Sequence, residues 1–123
     1  MNKDTILIYS QRSLLTTLLE AIIGEEAYRI ICCNTLSHTI QQCQSENPSL
    51  VIVLDSSPFM SGKHLIESIR RNKSHHPAIY VISWQQSENT VLSLLECGID
   101  QYLTFPISRV RLRLKALAHI NQR

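Results

Sequence analysis

Glycine and proline are scarce in this chain of 123 residues, three and four respectively, and aromatic residues make up 6%. That scarcity excludes a low-complexity or linker-like chain, and no Ser/Gly-rich stretch divides it. With 44% hydrophobic and 18% charged residues, the length suits one domain, residues 1–123, with a sizeable core. No glycine-rich phosphate loop is present, which argues against a nucleotide-binding enzyme. The opening "MNKDTILIYSQRS" holds an apolar run too short for a signal-peptide core or a membrane span, so a cytoplasmic protein without membrane contact is expected. A net charge of +2 is too small to argue for direct nucleic-acid binding. Cys32, Cys33, Cys43 and Cys97 show no C-x-x-C spacing and read as buried thiols. The histidines His38, His64, His75, His76 and His119 form no metal set, so neither metal nor cofactor is expected.

What is present is alternation. Five short runs, "TILIY", "YRIICC", "LVIVL", "AIYVIS" and "QYLTF", alternate with segments of helical period. Leu14, Leu15, Leu18, Leu19, Ile22 and Ile23 precede Gly24 as a plausible stop. Ser37 is the expected cap of a helix carrying Ile40 and Cys43, ended near Pro48. Gly62 is expected to precede a helix with Leu65, Ile66 and Ile69 inward, and Ser87 to open one with Val91, Leu94 and Leu95 inward that stops at Gly98. The last helix begins near Ile107. Runs such as "LVIVL" lack polar alternation, which suggests strands buried on both faces. Right-handed crossovers then give a three-layer α/β domain with five strands; the common doubly wound parallel sheet of order 2-1-3-4-5 is this architecture, and its ligands bind beyond the strands' C-terminal ends.

Two stretches carry a resemblance. One runs from Pro48 to Gly62, "PSLVIVL" followed by Asp55 and then "SSPFMSG"; the other is "SWQQSENTVLSLLECGIDQYLTFP". On these residues the chain resembles the receiver domain of bacterial two-component response regulators, of the chemotaxis-regulator kind. Pro48, Pro58 and Gly62 match in the first stretch, and Ser83, Gly98, Asp100, Tyr102 and Pro106 in the second. The resemblance implies a flavodoxin-like (βα)5 fold. In that family a carboxylate pair after the first strand and the phosphoacceptor aspartate ending the third bind Mg²⁺, and a lysine before the last-strand proline contacts the phosphoryl group. Ser10 and Gln11 stand here in place of the pair, Phe105 in place of the lysine, and Leu54 in place of the phosphoacceptor, with Asp55 one residue late.

A one-residue step in a strand changes the face, so Asp55 is expected to miss the pocket and serve as a turn residue at the start of the segment 55–58. Both halves of the ionic site are missing together, and Leu54 and Phe105 can meet as an apolar plug. By the resemblance, Ser83 holds the switch hydroxyl position and Tyr102 the switch aromatic. The expectation is a pseudo-receiver that is not an enzyme and acts through protein contacts in signalling or transcription regulation. The alternative is a receiver phosphorylated on Asp55 by a histidine kinase, with an unusual metal site.

The last fifteen residues hold Arg109, Arg111, Arg113, Lys115 and Arg123. At helical spacing Ile107, Val110, Leu114, Leu117 and Ala118 gather on one side and are expected to face the sheet. Leu112, Ala116 and Ile120 form a second stripe flanked by Arg109, Arg113 and His119. A homodimer or protein partner is expected on this surface, which the resemblance places on a face made by the family's fourth helix, fifth strand and fifth helix. Whether a DNA-binding domain follows Arg123 is left open by the sequence; a helix-turn-helix segment there would make the protein a transcription factor.

Overall fold

The structure, a computed structural model, describes residues 4–10, 28–55, 60–71, 77–83 and 88–104. Five strands, β1 (Asp4–Ser10), β2 (Tyr28–Cys33), β3 (Leu50–Asp55), β4 (Ala78–Ser83) and β5 (Gln101–Thr104), form one parallel sheet in the order β2-β1-β3-β4-β5. The apolar runs are strands because β-branched and aromatic side chains suit a pleated surface covered on both faces. Ile6, Leu7 and Ile8 are all fully buried, as are Val51, Ile52 and Val53.

Alternation along the strands divides the core in two. Ile6, Ile8, Leu50, Ile52, Leu54, Tyr80 and Ile82 form one cluster with Tyr28. Leu7, Tyr9, Val51, Val53, Ile79 and Val81 form the other, against Cys43, Leu65, Ile66, Ile69 and Leu94. The helices Leu36–Glu46, Met60–Arg71 and Glu88–Glu96 therefore all pack on one side of the sheet. The expected helices over residues 14–23 and from residue 107 onward lie outside the described residues.

Three local expectations are corrected. Thr35, not Ser37, caps the Leu36–Glu46 helix: its backbone is extended, its hydroxyl accepts the His38 N–H at 3.3 Å, and its carbonyl accepts Thr39 N–H at 3.1 Å. That helix ends on Asn47, which adopts the left-handed conformation with φ 47° just ahead of Pro48. Gly62 lies inside the Met60–Arg71 helix, whose inward Leu65, Ile66 and Ile69 outweigh the small cost of a glycine in its first turn. Leu95 is exposed rather than inward, together with Leu92, while Leu94 is buried.

The N-terminal edge of the sheet is closed by polar contacts. Ser49 donates its backbone N–H to Thr5 O and its hydroxyl to Asp4 Oδ1, and Ala78 N–H donates to Ser49 O. Nearby, the Arg70 guanidinium reaches Gly98 O, Pro77 O and Asp100 Oδ2 at 2.9, 2.8 and 3.0 Å. The same Asp100 oxygen accepts Ile79 N–H at 2.8 Å. Gly98 sits at φ 100°, a conformation that favours glycine, and a Cβ there would lie 3.2 Å from Arg70 Nε.

Candidate functional site

In a doubly wound parallel sheet the ligand position lies at the C-terminal ends of the strands. Here those ends are Ser10, Asp55, Ser83 and Thr104, and register sorts the neighbouring positions into rows. Ser10 stands opposite Leu54, Leu54 opposite Ile82, and Ile82 opposite Leu103. One step further out, Asp55 stands opposite Ser83 and Ser83 opposite Thr104. Successive rows belong to opposite faces.

The residues that the sequence grouped as one pocket thus divide between two rows. Leu54 is 3% exposed and belongs to the cluster of Ile52 and Ile82, and Ser10 beside it is 1% exposed. Ser83 is fully buried, two residues beyond Val81 on the helix-covered face. Tyr102 is half-buried and packs against that helix-side cluster. The two switch positions therefore share a face, and the residue in register with Ser83 is Asp55 rather than Leu54. Gln11 and Phe105 lie outside the described residues, as do Arg109, Leu112, Arg113, Ala116 and Ile120.

Leu54 cannot accept a phosphoryl group or hold a cation, because it offers no oxygen. Buried thiols offer no nucleophile either. Burial pushes the Cys33 thiol up, with a hydrogen bond to Thr39 acting the other way. Burial raises Cys43 from 9.0 to about 11, partly offset by the charge of Arg70. Both stay protonated at neutral pH. Burial, and then the charge of Asp100, raise the Tyr80 hydroxyl well above the ordinary phenol range. Cys32, expected to be buried, is exposed on the edge strand β2. His38 and His64 are exposed on separate helices.

Sequence reasoning did not pick out Leu92 and Leu95, 56% and 46% exposed, as an outward pair on the Glu88–Glu96 helix. Helical spacing carried part of the signal, since Leu92 falls off the stripe of Val91 and Leu94. Arg70 was also passed over; an arginine in the last turn of a helix reads as an ordinary complement to the helix dipole.

The sheet order suits the receiver class that the sequence resembles, and comparison with known proteins shows the family. The response regulator receiver domain model matches residues 6–117, and the chain belongs to that family. It is 26% identical over 120 residues to the transcriptional regulatory protein KdpE of Staphylococcus aureus, covering 96% of this chain and 51% of that protein. It is 29% identical over 119 residues to the transcriptional regulatory protein PmrA of Pectobacterium parmentieri, covering 95% and 53%. The chain thus spans about half the length of these relatives. Among solved structures it is similar to a CheY-like response regulator receiver domain protein from Methanospirillum hungatei, with a TM-score of 0.84, 18% identity and coverage of 98% and 96%. A response regulator from Thermotoga maritima is similar at a TM-score of 0.82 and 15% identity, with coverage of 97% and 98%. These structures carry the fold, a flavodoxin-like parallel sheet of order 2-1-3-4-5. No described helix is long and apolar enough to cross a membrane.

Proposed function

We propose that this receiver domain works without phosphorylation, as a non-enzymatic protein-interaction module in bacterial signal transduction or transcription regulation. The observation that carries the reading is Leu54, buried in the apolar core beside Ser10 where the family would hold an aspartate beside carboxylates. Phosphoryl transfer depends on a hard cation, held by oxygen ligands, to neutralise the moving group. Ser10, Gln11, Leu54 and Phe105 remove the carboxylates and the lysine together, which avoids a buried charge without a partner. The domain then needs no metal or cofactor.

The exposed pair Leu92 and Leu95 supports an interaction role, because large apolar side chains in water favour a partner that covers them. The proposed contact extends to Leu112, Ala116 and Ile120 with Arg109 and Arg113 at the rim. Its occupant is a second copy or a protein partner. The proposal includes residues 1–123 as one domain, a cytoplasmic setting, and pairing with a DNA-binding output domain after Arg123, in keeping with relatives named as transcriptional regulators.

A second reading has one observation in its favour, the register of Asp55 with Ser83. In it Asp55 accepts the phosphoryl group from a histidine kinase and Ser83 supplies the neighbouring hydroxyl, with an unusual metal site. Intact-mass measurement after incubation with acetyl phosphate and Mg²⁺ separates the two. No adduct is expected; an adduct lost in Asp55→Asn establishes the second reading instead.

A further inference from the structure

We infer that Arg70 and Asp100 form a brace that holds the Glu88–Glu96 helix in one pose, so that its outer surface is presented without a switching ligand. The pose rests on geometry alone; only the purpose of the surface rests on the interaction reading above.

Arg70 lies in the last turn of the Met60–Arg71 helix and ties that helix to two other pieces of chain, the start of β4 and the turn 98–100. Its Nη1 donates to Pro77 O, just ahead of β4. Its Nη2 donates to Asp100, which in turn accepts Ile79 N–H and donates its own N–H to Ile79 O at 2.8 Å. Its Nε donates to Gly98 O, in the turn that ends the Glu88–Glu96 helix. Three acceptors in fixed directions suit a planar guanidinium and cannot all be met by an ammonium group.

The turn passes this restraint to the helix. Cys97 N–H donates to Ser93 O at 3.2 Å and Gly98 N–H to Leu95 O at 3.1 Å, so the last helical turn is tied to Gly98, and Gly98 to Arg70. The left-handed backbone of Gly98 lets the Arg70 stem lie against it, with the nearest atoms 3.2 to 3.5 Å from where a Cβ would stand. Any shift of this helix along the sheet must break the Gly98 contact or drag the whole fork with it. The ion pair itself is part-exposed, at 21% and 38%, and water screens it. The restraint therefore resides chiefly in the fixed carbonyl acceptors. Leu92 and Leu95 lie on the helix so held.

Amide hydrogen exchange read by mass spectrometry on this chain tests the brace. Arg70→Ala should speed exchange over residues 88–98 by about tenfold more than over β1 and β3, because a local contact is lost rather than global stability. Arg70→Lys should fall between, keeping one acceptor of the three. Should Arg70→Ala fail to fold, Asp100→Asn gives the same reading through the loss of the charged acceptor. Exchange that rises equally everywhere, or not at all over 88–98, overturns the brace. A second arm adds acetyl phosphate and Mg²⁺ to the wild type, and unchanged exchange over 88–98 is expected. A change there refutes a fixed pose. A phosphoryl adduct with unchanged exchange refutes the phosphate-independent reading and leaves the brace standing.

Discussion

At the N-terminal edge of the sheet, Arg70 and Asp100 meet each other and backbone groups of two segments, while Ser49 closes onto Asp4 and Thr5. At the C-terminal edge, Ser10 stands in register with Leu54, and the row continues through Ile82 and Leu103. One edge satisfies charge with charge; the other buries an apolar side chain in register with a serine. A part-exposed ion pair is screened by water and rests chiefly on its backbone partners, whereas an apolar row tolerates no charge at all. The two edges should therefore differ in how much a single substitution costs them.

The largest effect is expected from Leu54→Asp. It places a lone carboxylate at a position only 3% exposed, and should cost about 3 kcal/mol, seen as a lower urea midpoint. An unchanged midpoint would break the contrast between the edges. Gly98→Ala attacks the opposite edge through strain, because the residue holds φ 100° and packs on Arg70. A loss of about 1–2 kcal/mol is expected in the same measurement.

Alkaline pH probes the helix-side core lying between the edges. The folded state raises the Cys43 thiol from 9.0 to about 11, so the folded protein holds its proton longer than the unfolded chain. Its contribution is complete below pH 9 and is lost as pH rises towards 11, on the order of 1 kcal/mol by about pH 10. Urea midpoints should fall across that window, and less so in Cys43→Ala. The smallest effect is expected from Arg29→Ala. Its pair with Glu46 is exposed, with 56% of the arginine side chain in water, and its loss should stay within about 0.5 kcal/mol. A larger loss would show that the β2 edge of the sheet depends on surface charge.

Much of the fold is legible because burial on both faces leaves an unbroken apolar run. The runs read from composition agree with the strands to within a residue or two at either end, as "LVIVL" does with Leu50–Asp55. Lateral register is another matter. Asp55 and Ser83 are brought side by side by the pairing of β3 with β4, and one sequence holds no signal for a slip of a single residue across strands. Proline and glycine spacing points to Leu54 as the special position, whereas the sheet sets Asp55 beside the serine. The choice of Thr35 over Ser37 has a similar cause: both carry a hydroxyl, and only the extended backbone at Thr35 decides. Cys32 reads as buried because its run is apolar, yet an edge strand leaves part of its surface in water.

Leu54 also bears on engineering. A chain carrying leucine in this row cannot take up an aspartate there by one favourable step. The carboxylate alone is a buried charge, and a second carboxylate at Ser10 would add repulsion before any cation relieved it. Building an ionic site into this row by design calls for its acidic residues and the cation that neutralises them to arrive together.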